Sequence, residues 1–112
     1  MFAFLKNLLG ANMQTIEHDD FLSAIKNHTH TIIDVREPAE YASGHVPGAI
    51  NQPLSSFNPQ TLPKNKPIIL ICQAGGRSGK ALSLSLQAGI NNIAHYSPGT
   101  GGWRARGGAI EV

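Results

Sequence analysis

Residues 68–78 read IILICQAGGRS, and they give the clearest indication of the fold. Ile68 to Ile71 form a continuous apolar run, which is typical of a central strand covered on both faces. Cys72 ends that strand, a glycine-containing loop follows, and a helix is predicted from Ser78 to Ala88, with Gly89 where it would end. In open α/β sheets, ligands bind at the carboxyl ends of strands. Cys72 therefore lies where a reactive group is expected.

Outward from this stretch, short strands and helices alternate along the chain. Further strands are predicted at residues 31–35, 49–51 and 93–96, and further helices begin at Asp19, begin at Pro38 and surround Trp103. The first helix is expected to turn Phe21, Leu22 and Ile25 toward the core, and residues 49–51 are expected to be buried. Four prolines in residues 53–67 predict a surface segment. The alternation predicts an α/β fold, with a mostly parallel central sheet and helices on both faces.

Length, charge and cysteine content narrow the class of protein. The 112 residues suit one domain at 15–112, preceded by a short apolar N-terminal segment at 1–14. That segment is shorter than the about 20 apolar residues of a membrane span, so no span is expected. A net charge of +2 without a Lys/Arg run excludes a nucleic-acid stripe and favours a small anion as partner. One cysteine cannot form an internal disulfide, so a cytoplasmic location is expected. The oligomeric state stays open.

The loop after Cys72 is suited to stabilising negative charge. Gly75 and Gly76 let backbone N–H groups turn inward as an anion-binding nest. The helix N-terminus adds positive potential, and Arg77 adds a fixed charge with a planar donor fork. Each of these lowers the pKa of the cysteine thiol, and the thiolate is the nucleophile. A lone cysteine would suggest only a small buried apolar residue, but this combination predicts a catalytic nucleophile.

The distance from cysteine to arginine bears on the chemistry. Many enzymes that attack phosphate monoesters have the arginine six positions after the cysteine, whereas Arg77 comes five positions after Cys72. The tighter loop makes a smaller cradle, better suited to one sulfur atom than to a tetrahedral phosphate. A cysteine-based phosphatase or arsenate reductase stays open as the less favoured alternative.

Two motifs, far apart in the chain, together resemble the rhodanese family of sulfurtransferases. Residues 34–51, DVREPAEYASGHVPGAIN, resemble the first signature of that family, and residues 72–78, CQAGGRS, resemble its active-site loop. The resemblance covers residues 15–108 and is highly specific because both motifs occur in order. It implies a rhodanese-like domain.

The resemblance implies a role for each residue of the loop. Cys72 would carry the transferred sulfur as a persulfide, and Arg77 would help to hold an anionic sulfur donor. The backbone of six residues would cradle the outer sulfur: Gln73, Ala74, Gly75, Gly76, Arg77 and Ser78. In the family, thiosulfate is the usual test donor and cyanide or a thiol the acceptor, with no metal or organic cofactor. A sulfur carrier for a partner protein, or a non-catalytic binding module, stays open.

Three further polar residues, Asp34, Arg36 and His45, are expected to be structural. Asp34 and Arg36 form a charged pair at a strand end, which most often fixes a loop. His45 precedes a turn and is expected to form hydrogen bonds there. His28 and His30 lie close together, but no cysteine or clustered acid completes a ligand set, so no metal site is expected.

Overall fold

The computed structural model describes residues 14–112, in which four strands form one parallel sheet. The strands are β1 (Thr31–Asp34), β2 (Ile50–Asn51), β3 (Ile68–Ile71) and β4 (Ile93–His95). Their order across the sheet is β2-β1-β3-β4, and each neighbouring pair is parallel. The predicted α/β fold with a parallel sheet is confirmed.

Four α-helices accompany the described strands. They are α1 (His18–Asn27), α2 (Pro38–Ala42), α3 (Gly76–Gln87) and α4 (Gly99–Ala105). Two short 3-10 helices, Leu54–Ser56 and Pro59–Thr61, lie in the proline-containing segment. The helix predicted at 78–88 exists but begins two residues earlier, because Gly75 takes a left-handed φ of 99° and turns the chain directly into α3.

Apolar side chains cover both faces of the sheet. Successive residues of a strand point to opposite faces. Ile32 and Ile69 pack in one cluster with the buried faces of α1 and α4, and their neighbours Ile33 and Leu70 pack in a second cluster with α3. All four residues of β3 are buried, as the apolar run predicts. Helices on both faces are thus confirmed, and the loop after β3 emerges from the centre of the sheet.

Two predictions of burial are wrong. Leu22 is 36% exposed, because α1 packs through Phe21 and Ala24, which lie one turn apart on the same face, while Leu22 points away from them. Ile50 is 47% exposed because β2 forms the edge of the sheet. Ala49, just before that strand, is buried instead.

The predicted N-terminal segment, residues 1–14, lies outside the described residues except for Gln14. Its side-chain amide donates a hydrogen bond to the Ile93 carbonyl at 2.8 Å, so Gln14 contacts β4. Across residues 14–112, the helices are all too short or too polar to cross a membrane.

Candidate active site

Cys72 lies at the carboxyl end of β3, at the base of the loop that leads into α3. The residue is 1% exposed, so the thiol is buried. The backbone N–H of Gly75 donates to Cys72 Sγ at 3.1 Å, and Ser78 Oγ lies 3.5 Å from the same sulfur. The sequence thus brings the predicted nucleophile together with two hydrogen-bonding groups of its own loop.

Of the two loop glycines, only Gly75 has a backbone conformation that requires glycine. Gly75 has a φ of +99°, and a Cβ there would lie 2.5 Å from the Ser97 carbonyl oxygen. Gly76 is the first residue of α3, and a Cβ there would meet nothing within 4 Å. The expectation that both glycines shape the curl is therefore wrong for Gly76.

The start of α4 anchors the loop from the other side. The backbone N–H of Thr100 donates to the Cys72 carbonyl at 2.8 Å, and that of Gly101 donates to the Gln73 carbonyl at 3.1 Å. The Thr100 hydroxyl also donates to the Cys72 carbonyl at 3.2 Å. These bonds fix the backbone that carries the thiol, without using the N–H groups of the loop.

The surroundings of Cys72 favour its thiolate. Burial raises the pKa of the thiol, but a hydrogen bond with the Ser78 hydroxyl opposes this effect. The backbone N–H groups of Ser78, Ala74 and Gly75 act in the same direction, and the net pKa lies below its ordinary value. Hydrogen bonds to the charged form are the means by which proteins activate cysteine.

Arg77 is paired with a residue that sequence reasoning missed. Its guanidinium donates two hydrogen bonds to the Glu40 carboxylate, at 2.6 and 3.0 Å. The hydrogen bonds from Arg77 lower the pKa of Glu40 to about 2, and those to Glu40 raise the pKa of Arg77. Glu40 lies within the first motif, 37 positions before Arg77, and it also forms part of the capping box of α2. Neither feature predicts a contact with the cysteine loop.

His95 is the second missed residue. Its Nδ1 lies 2.8 Å from Ser78 Oγ, and both side chains are buried. Burial lowers the pKa of the imidazole. No pattern in the sequence links a histidine on β4 to the cysteine loop, because only the pairing of β3 with β4 brings them together.

Comparison with known proteins agrees with this geometry. The profile of the rhodanese-like domain matches residues 17–106. The chain belongs to the rhodanese family. It is 33% identical over 107 residues to thiosulfate sulfurtransferase 16 of Arabidopsis thaliana. The aligned region covers 83% of this chain and 85% of that protein. A rhodanese-related protein from Thermoplasma volcanium has a structure that matches with a TM-score of 0.77 at 30% identity, over 88% of this chain and 97% of that one.

A further relative is longer than this chain. An uncharacterised protein of Synechocystis is 40% identical over 78 residues, which cover 68% of this chain and 44% of that protein. The chain thus matches less than half of that relative. The family resemblance is confirmed, and proteins named sulfurtransferase are among the relatives of this chain.

In this rhodanese-like domain, Asp34 and Arg36 form a buried pair beside the loop. The Arg36 guanidinium donates to the Asp34 carboxylate at 2.8 Å and to the Gly44 carbonyl at 2.8 Å. The Asn51 amide donates to the carbonyls of both residues, at 3.0 and 2.9 Å. These contacts join β1, β2 and the turn after α2, which is the geometry of a pair that fixes a loop. Their architectural role stays a prediction.

Two further expectations concern histidines, namely a turn residue at His45 and the absence of a metal site at His28 and His30. His45 Nδ1 lies 2.9 Å from the Tyr41 carbonyl, and its ring stacks on that of Tyr41, so it forms the expected contacts of a turn residue. Among residues 14–112, His, Cys, Asp and Glu side chains nowhere gather in a group of three that could hold a metal ion. Within residues 14–112, His28 and His30 therefore lack a third side chain with which they could hold a metal ion.

Proposed function

We propose that this rhodanese-like domain transfers a sulfane sulfur through a persulfide on Cys72. The donor would be thiosulfate or a persulfide, and the acceptor a thiophile such as cyanide, a thiol or a protein. The observation that carries the proposal is the buried Cys72 thiol with a lowered pKa, beside the Gly75 N–H and the Ser78 hydroxyl. A cytoplasmic setting belongs to the same proposal, because the thiolate must stay reduced.

The reaction needs only the donor and the acceptor. The Cys72 thiolate attacks the sulfane sulfur of thiosulfate, a new S–S bond forms, and sulfite leaves with the electron pair of the broken S–S bond. Cyanide then attacks the outer sulfur of the persulfide, thiocyanate leaves, and the thiolate is restored. This is double displacement through a covalent intermediate. Neither a metal nor an organic cofactor enters the scheme.

The loop would stabilise the charge at each stage. The Cys72 sulfur carries a negative charge before it attacks the donor and again after the acceptor has removed the outer sulfur. Fixed hydrogen-bond donors stabilise such a charge without reorganisation. In the proposal, the backbone from Gln73 to Ser78 cradles the outer sulfur and Arg77 attracts an anionic donor. The choice of thiosulfate is supported by the name of the Arabidopsis relative.

Intact-protein mass spectrometry tests the proposal directly. Incubation with thiosulfate should add the mass of one sulfur atom, and cyanide should remove it with formation of thiocyanate. Because Cys72 is the sole cysteine, the added sulfur can be assigned by repeating the incubation with Cys72→Ser, which should gain nothing and show no transfer. Wild-type turnover in Cys72→Ser would exclude the proposal.

Assays with other acceptors and substrates separate the alternatives. A chain that takes up sulfur but returns it only to a protein, and not to cyanide, would act as a carrier. A chain that ignores thiosulfate and persulfides but hydrolyses an aryl phosphate or reduces arsenate would belong to the phosphatase or arsenate reductase class. Folded Cys72→Ser, checked by circular dichroism, is the control in each assay.

A further inference from the structure

The hydroxyl group of Ser78 has three polar neighbours and only one hydrogen. Its Oγ lies 2.8 Å from His95 Nδ1, 3.2 Å from the Gly75 carbonyl oxygen and 3.5 Å from Cys72 Sγ. A hydroxyl donates one hydrogen bond and accepts up to two. Ser78, His95 and Cys72 are all buried, so the direction of that hydrogen is set by these neighbours.

The tautomer of His95 decides where the hydrogen can point. The Gly75 carbonyl and a Cys72 thiolate can only accept, whereas Nδ1 of a neutral imidazole either accepts or donates. If Nδ1 accepts, the hydroxyl hydrogen turns to His95, and Cys72 keeps only backbone N–H donors, such as that of Gly75 at 3.1 Å. If Nδ1 donates, the hydrogen is free for the sulfur. An anionic acceptor then outcompetes a neutral carbonyl, because charge-assisted hydrogen bonds are about twice as strong.

We propose that His95 is a positioning residue, which carries its proton on Nδ1, donates to Ser78 Oγ and thereby directs the Ser78 hydroxyl hydrogen at Cys72 Sγ. No bond to hydrogen breaks in this arrangement, so His95 neither gives nor takes a proton. The inference rests on the proposed function, in which the Cys72 thiolate is the reacting species. Its test, however, measures the ionisation of Cys72 and not sulfur transfer.

The surroundings keep His95 neutral. Burial lowers the pKa of the imidazole, so it stays uncharged at neutral pH, and burial is the only cause of that shift. The charged side chains that act near Cys72 from the neighbouring helices are Arg77 on α3 and its partner Glu40 on α2. Both are unchanged in the Ser78, Ser85 and His95 variants that test this inference, so their field on the sulfur is constant in that comparison.

The pH dependence of Cys72 alkylation by iodoacetamide tests the inference. Every reacting thiol is Cys72, because the chain has one cysteine. Ser78→Ala removes the hydroxyl and should move the midpoint of the profile up by about 1 pH unit, the size of a hydrogen bond to a charged group. His95→Leu should move it in the same direction by about half as much, since Ser78 stays but loses its orientation. His95→Asn can place an amide N–H near the position of Nδ1 and should restore the midpoint.

A matched serine on the same helix provides the control. Ser85 is buried like Ser78, and its hydroxyl donates to the Ala81 carbonyl at 2.8 Å. Ser85→Ala should leave the midpoint where it is in the wild type. The double variant Ser78→Ala/His95→Leu should match Ser78→Ala alone, because His95 acts only through the hydroxyl.

Three results would overturn the inference. They are a wild-type midpoint in folded His95→Leu while Ser78→Ala shifts, additive shifts in the double variant, and ¹⁵N histidine spectra that place the His95 proton on Nε2. If His95→Leu does not fold, the spectra and His95→Asn decide, and either an Nε2 proton or an upward shift in folded His95→Asn would refute the inference. Failure to take up sulfur from either thiosulfate or a persulfide donor would refute the proposed function, and the alkylation profiles would still test the role of His95 independently.

Discussion

Two arginine–carboxylate pairs flank the cysteine loop, and they differ in burial. The Arg36–Asp34 pair has an N–O distance of 2.8 Å, with side chains 4% and 0% exposed. The Arg77–Glu40 pair has a distance of 2.6 Å, with side chains 36% and 38% exposed. If one partner of the first pair is removed, the other charge remains buried without a partner, whereas in the second pair the remaining charge is hydrated. We therefore predict that the first pair stabilises the fold, and that the second can be altered to change the charge at the site without loss of the fold.

The position of each pair in the sheet explains the difference. Asp34 ends β1, which lies between β2 and β3, and Arg36 is further held by the Gly44 carbonyl. Glu40 and Arg77 come from the first turns of α2 and α3, so they meet at the rim where the two helices begin. The two ion pairs thus have similar N–O distances, but we expect the buried pair to affect stability and the exposed pair to affect the charge that a substrate meets.

The largest effect is expected from breaking the buried pair. Arg36→Met leaves Asp34 buried without its partner and should lower the free energy of unfolding by about 3–5 kcal/mol. Urea denaturation followed by circular dichroism measures the change. Lys80→Met, at an exposed position of α3, is the control and should change stability by less than about 0.5 kcal/mol. A loss for Arg36→Met no larger than that of the control would contradict the assignment of this pair to the fold.

A second test changes the loop that presents Arg77 without altering a charge. Gly75→Ala forces a residue with a Cβ into a φ of +99° and toward the Ser97 carbonyl, and should cost about 2 kcal/mol or more. Gly76→Ala, one residue later, has open space and a helical backbone, and should change stability by less than about 1 kcal/mol. The pair of urea titrations compares adjacent positions. Equal losses would show that backbone conformation does not govern this loop.

The sequence was most informative where the interactions are local. The apolar run of β3, the loop after it and the helix that follows are set by consecutive residues, and the structure has them as predicted to within two residues. Ser78–His95 and Arg77–Glu40 join residues 17 and 37 positions apart. These contacts depend on the strand order β2-β1-β3-β4 and on where α2 begins, which periodicity does not specify. Ile50 was misjudged for the same reason, since a short apolar strand reads alike at the centre and at the edge of a sheet.

The exposed pair is expected to affect the substrate more than the fold. Glu40→Gln keeps a hydrogen-bond acceptor for Arg77 but removes the negative charge beside it. The freed positive charge should lower the KM for thiosulfate by about threefold, the size of a surface ion pair. Steady-state kinetics at fixed cyanide measure the change, with Glu37→Gln on the same helix cap as the control. An unchanged or higher KM would remove Arg77 from donor binding.

The smallest effect is expected in the acid stability of the same pair. The Arg77 hydrogen bonds lower the pKa of Glu40 from 4.5 to about 2 in the folded protein. A lowered folded-state pKa contributes stability above pH 4.5, and this stability is lost as the pH falls toward 2. Because the Glu40 side chain is 38% exposed, solvent screening limits the contribution to about 0.5 kcal/mol. The difference in unfolding free energy between wild type and Glu40→Gln should therefore shrink from pH 6 to pH 3. All other carboxylates are common to both proteins, so a difference that stays constant over that range would mean that Glu40 gains nothing from Arg77 in the folded state.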